Sequence, residues 1–168
     1  SRLPVRPASL LTPEENTLMA VVGAIEGIRC GATSIVQIAG DIAVSAEALA
    51  ATGARMVFAE SIRDRESGNG PMTVEQLSRG EPPRFSAKLR EQGLQKVADL
   101  HSKWHGREDG RISVFPAPSL AEDVSPELLR ATREFAEKHD LNYTIHVAQS
   151  RWENEYMQRW HGMHPIAY

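Results

Sequence analysis

His146 is the residue of this sequence whose surroundings most invite chemistry. It sits in the mostly apolar run Tyr143-Thr-Ile-His-Val-Ala-Gln-Ser150. An imidazole is the commonest protein metal ligand and titrates near neutral pH. The same placement also suits a neutral histidine buried in a core and held by one hydrogen bond, and spacing alone leaves both readings open. Gln149 offers an amide, a hydrogen-bonding group that cannot take up and return a proton. Further polar residues fall where predicted strands run out: Gln37 and Asp41, Glu60 and Arg63, and Ser119 behind Pro116-Ala-Pro118. Of these, Gln37, Glu60, Arg63 and Ser119 are the candidates for holding a substrate. The carboxylates Asp41 and Glu60 read equally as general bases or as ordinary solvated strand ends.

The other histidines carry less. His101 and His105 are spaced for one helix face, but Ser102 stands where a zinc protease helix carries its glutamate, so that motif is absent. His139 suits the last turn of a helix, where a cation meets the helix dipole favourably. His161 and His164 lie past a predicted helix end. Cys30 reads as a packing residue, and a single cysteine excludes an intrachain disulfide framework and is compatible with a reducing cytoplasm. No glycine-rich phosphate loop joins a strand to a helix.

The elements that must position these residues alternate. Thr12-Pro-Glu-Glu15 is a capping box with proline at N1, and Leu18, Val21, Val22, Ile25 and Ile28 give the helix that follows an apolar stripe ending near Gly31. Short β-branched runs predict buried strands at 32–40, 55–62, 111–115 and 141–147. Helices are expected over 44–52, 85–104, from Ser125-Pro126 onward, and over 151–160. Arg63 to Pro83 is rich in glycine and proline and reads as a long excursion, functional or mobile, with at most one helical turn near Thr73 to Leu77. Strands alternating with helices predict a parallel sheet, whose ligands gather at the carboxyl ends of the strands.

Lys and Arg number 19 against 22 Asp and Glu, a net charge of −3, which argues against a generally basic nucleic-acid binder. No apolar run approaches a membrane span. The first residues, Ser1-Arg-Leu-Pro-Val-Arg-Pro7, carry no secretory h-region. These features predict a cytoplasmic α/β domain with no nucleic-acid or membrane partner, and leave homo-oligomer formation open. A complete (β/α)8 barrel needs at least about 200 residues, so 168 residues make either an open sheet or part of a barrel.

Leu11-Thr-Pro-Glu-Glu, Gly31-Ala-Thr-Ser-Ile-Val, Ala51-Thr-Gly-Ala-Arg55, Ile112-Ser-Val-Phe-Pro-Ala-Pro, Ser125-Pro-Glu-Leu-Leu and Ile145-His146, in that order, resemble the amidohydrolase superfamily. The likeness is nearest to its cytosine deaminase, guanine deaminase and triazine chlorohydrolase branch. It implies that residues 1–168 are a partial catalytic domain, a segment of a (β/α)8 barrel with about four parallel strands, roughly the second to the fifth. Such enzymes bind one divalent metal, zinc or iron, whose water hydrolyses C–N or C–Cl bonds of heterocyclic rings. His146 matches the metal ligand of the fifth strand. The family's paired histidines would precede Ser1, and its remaining histidine and aspartate would follow Tyr168. Many relatives carry a proton-shuttling glutamate where this chain has Gln149, so a catalytically silent relative that binds a heterocycle is the alternative. Two geometric expectations follow. For Gln149 to share a pocket with His146, the chain must leave β geometry by Ala148. The inner face of a partial barrel should also be left exposed.

Overall fold

The computed structural model describes residues 10–66 and 82–168. Most of the predicted excursion, including its expected turn at 73–77, falls on positions outside the described residues. The elements run α1 (Pro13–Arg29), β1 (Ser34–Ala39), α2 (Ala46–Ala50), β2 (Arg55–Ile62), α3 (Ala87–Trp104), β3 (Ile112–Pro118), α4 (Pro126–Lys138) and α5 (Arg151–His161). Single 3-10 turns at Ile42–Val44 and Ala121–Asp123 follow β1 and β3.

The capping box of α1 forms as its residues dictate. Glu15 N–H donates to Thr12 Oγ1 at 3.2 Å, and Thr12 N–H to Glu15 Oε2 at 2.7 Å. Ser86, Ser125 and Ser150 cap α3, α4 and α5 through their hydroxyls. The three strands are parallel and adjacent in chain order, β1-β2-β3, with Ile35 opposite Met56 and Met56 opposite Ile112. Side chains alternate across a strand, so this register sorts the sheet into two faces. Met56, Phe58, Ile112 and Val114 meet Leu100 and Trp104 of α3 in the main core. Ile62 packs with Val97 and Leu128 in a second cluster. Burying Phe58 completely is worth about 2–3 kcal/mol.

The opposite face carries Val36 and Ile38 of β1, 55% and 41% exposed. The face is therefore open along β1, whereas Ala59 of β2 and Ala117 of β3, on the same face by register, are buried. The stripe expected to bury α1 is also largely open: α1 meets the core through Ala20, Val21 and Ala24, while Leu18, Val22, Ile25 and Ile28 stay exposed. Cys30 is exposed rather than packed.

The predicted fourth strand is corrected. Residues 141–147 run parallel to β3 but make only one bridge, Leu120 to His146, with Thr144 N–H donating to Pro116 O and His146 N–H to Ser119 O, both at 3.3 Å. The reason lies in the neighbour. Pro116 presents its carbonyl to this segment, and Pro118, two residues on, presents the same edge. Neither proline has an N–H to return, so half of each ladder rung is missing.

Candidate functional site

The carboxyl ends of the strands hold several of the expected residues, in two groups. Arg63 and Ser119 line one cleft of about 940 Å³, together with Gly40, Asp41, Ser61 and Lys96. Ser119 also joins this cleft to His146. Its N–H donates to Ile62 O at 2.9 Å, and its carbonyl accepts from His146 N–H. The His146 side chain is exposed. Beyond it, Ala148 adopts φ +56°, so the chain leaves extended geometry there and Gln149 starts from a reversed backbone.

Gln37 and Glu60 sit on the helix-covered face, in register with Phe58 and Ala39. Glu60 is buried, and its two carboxylate oxygens accept the N–H groups of Asp41 at 2.7 Å and Ile42 at 2.9 Å. Burial raises its pKa, and those backbone donors oppose the rise. Each of its oxygens is thus engaged in holding the turn after β1. Asp41 in turn pairs with Lys96.

Three residues outside the sequence-predicted set organise the same end of the sheet. Asp64, fully buried past β2, accepts Ser125 N–H at 2.8 Å, the Ser125 hydroxyl, and Arg90 Nη1 at 3.1 Å, tying α3 and α4 to one carboxylate. Arg65 is buried with Nη1 3.3 Å from Asp123 Oδ1 and its guanidinium 5.4 Å from the Tyr156 ring centroid. Glu153, fully buried in α5, accepts the N–H groups of Ala148 at 2.8 Å and Gln149 at 2.7 Å. Beside them, Glu122 is buried with Oε2 unpartnered among the described residues. Burial first, and then the neighbouring carboxylates of Glu153 and Asp123, push its pKa up to about 7. A polar side chain directly after a predicted strand was the available signal for Asp64 and Arg65. Ser150-x-x-Glu153 was a visible capping pattern.

The remaining histidines cluster elsewhere. His101 stacks on His105 and approaches His139, each at 4.7 Å between ring centroids. They lie where α3 and α4 end, at the far end of the sheet from His146. Burial lowers the His101 pKa, and the two neighbouring rings add to the effect. Among the described residues no three histidine, cysteine, aspartate or glutamate side chains are grouped to hold a metal ion. No described helix is long and apolar enough to cross a membrane.

The model of the amidohydrolase family matches residues 6–167. The chain belongs to the amidohydrolase family. This amidohydrolase chain is 31% identical over 149 residues to the 5'-deoxyadenosine deaminase of Methanothermobacter thermautotrophicus, covering 89% of the chain and 30% of that protein. Its fold superposes on a zinc-bound atrazine chlorohydrolase from Arthrobacter aurescens TC1 with a TM-score of 0.74, at 18% identity, covering 94% of the chain and 35% of the other. An adenosine deaminase from Xanthomonas campestris with bound zinc gives a TM-score of 0.70 at 20% identity, covering 95% and 32%. The amidohydrolase chain thus spans about a third of the length of the relatives it matches, and its three parallel strands are a segment of their barrel.

Proposed function

We propose that this amidohydrolase chain contributes one wall of the active site of a metal-dependent hydrolase acting on an aminated or chlorinated heterocycle. The observation that carries the reading is His146, exposed at the carboxyl end of the sheet and followed at once by the left-handed turn at Ala148. Relatives named as deaminases and as a chlorohydrolase support the substrate class.

His146 fits a divalent zinc or iron as one ligand, being an accessible imidazole held by its backbone to Ser119. A catalytic zinc takes three protein ligands, so the others come from outside the described residues. When bound there, the metal supplies an activated water at neutral pH. The chain's own residues do the remaining work. Gln149, as an amide, orients the ring or the water by hydrogen bonds and leaves proton transfer to another group. Arg63 and Ser119 border the cleft in which a substrate lies, and Glu60 shapes its floor by holding the turn at Asp41. Gln37, on the helix-covered face, enters only through that packing. Water replaces the amine or chloride on the ring carbon, releasing ammonia or hydrogen chloride.

Gln149 itself favours a second reading, a relative that binds a heterocycle without hydrolysing it. Turnover by the full-length protein separates the two, measured on a panel of aminated and chlorinated heterocycles with and without a chelator. Chelator-sensitive release of ammonia or chloride supports the hydrolase. Tight binding without release supports the silent relative. If proton transfer limits turnover, Gln149→Glu raises the rate on aminated rings.

A further inference from the structure

Glu153 occupies the third position of α5, where a capping-box glutamate normally reaches back to the N-cap N–H. Here the helix is already capped, because the Ser150 hydroxyl accepts Glu153 N–H at 3.1 Å. The Glu153 carboxylate instead reaches past Ser150 and takes two donors outside the helix. Oε1 accepts Ala148 N–H at 2.8 Å and Oε2 accepts Gln149 N–H at 2.7 Å. Both oxygens are used, the side chain has no exposure to water, and the residue it pins is an alanine at φ +56°. Left-handed backbone is disfavoured for alanine because its Cβ crowds the following carbonyl. It persists only where the surroundings over-determine it.

We propose that Glu153 is a positioning residue of the active site. By clamping two successive N–H groups it holds Ala148 left-handed, and so fixes the direction in which Gln149 departs relative to His146. This rests on the reading of His146 and Gln149 given above. A carboxylate in a first helical turn also gains from the helix dipole, so the test must separate aim from stability.

The test uses the full-length protein and three variants: Glu153→Gln, Glu153→Asp, and Glu153→Gln combined with Ala148→Gly. Glutamine has one acceptor oxygen, and its NH2 group would face the second donor. Amide exchange at Ala148 and Gln149 should quicken by about tenfold or more in Glu153→Gln. On the best substrate of the panel, kcat should fall by about tenfold while KM changes by less than about threefold. Glycine adopts positive φ freely, so adding Ala148→Gly should recover most of kcat while the lowered Tm remains. Should Glu153→Gln fail to fold, Glu153→Asp keeps the charge on a shorter stem and should free at least one of the two amides. Unchanged exchange at both amides overturns the clamp. So does a loss of kcat that merely follows Tm and is not recovered by Ala148→Gly. A wild-type protein without turnover counts against the hydrolase reading alone, and the exchange rates still decide the clamp.

Discussion

After β1 the chain turns through Asp41 at φ +59°, and beyond the segment beside β3 it turns through Ala148 at φ +56°. In each case two successive N–H groups donate to both oxygens of one buried glutamate, Glu60 for Asp41 and Ile42, Glu153 for Ala148 and Gln149. The two devices differ in where the carboxylate comes from and what it restrains. Glu60 belongs to the neighbouring strand, whose ladder fixes it independently of the turn. It restrains an aspartate, one of the few residues that visits left-handed backbone readily. Glu153 belongs to the helix that follows its own turn, and it restrains an alanine, which does not. The first turn is a joint of the fold. The second stores strain, and strain of this kind gathers at functional sites.

The largest effect should come from breaking the first clamp. Glu60→Ala leaves two inward-facing N–H groups without an acceptor, and stability should fall by about 2–4 kcal/mol in urea unfolding. A loss below about 1 kcal/mol would mean that the turn at Asp41 is held by something else, and the likeness to the second turn would end there.

A smaller effect separates the electrostatics of the second turn. Glu122 lies beside Glu153, and its pKa is pushed from 4.5 to about 7 in the folded chain. A carboxyl group whose folded pKa is raised binds its proton more tightly when folded. Its contribution is therefore full below about pH 4.5 and is lost as pH climbs through about 7. Glu122→Gln removes that loss. The variant should be more stable than wild type by about 1–3 kcal/mol at pH 8, with the advantage shrinking toward pH 5. An advantage independent of pH would remove Glu122 from the electrostatics of this turn. The smallest effect concerns the exposed partner of the first turn. Lys96→Ala breaks a solvent-facing ion pair with Asp41 and should change stability by less than about 0.5 kcal/mol, since Glu60 holds the backbone.

Elements with local causes were legible in the sequence. The box at Thr12 and Glu15, the cap-then-proline start at Ser125-Pro126 and the first three strands follow from short-range patterns, and the structure contains each of them. The predicted fourth strand does not form, because what prevents its ladder is not in its own residues. Leu141–Val147 has strand composition, but the obstacle is the pair Pro116 and Pro118 on the adjacent strand. The uncovered stripe of α1 has the same character, since periodicity shows that a face is apolar and not what lies against it. The reversal at Ala148 could be anticipated from the spacing between His146 and Gln149. Glu60 was visible as a strand-end carboxylate, yet only the register shows that it faces the helices. Asp64, Arg65, Glu122 and Glu153 read as ordinary charged positions, because their burial is a property of how α3, α4 and α5 close over the strand ends.

The proposal that His146, beside the turn at Ala148, is a metal ligand can be checked by metal content. Zinc and iron should be counted per chain in the full-length protein and in His146→Ala, with the fold of each confirmed by circular dichroism. About one metal ion per wild-type chain is expected, with most of it lost in the variant, since one of about three protein ligands is removed. Equal metal occupancy in a folded His146→Ala protein would contradict it.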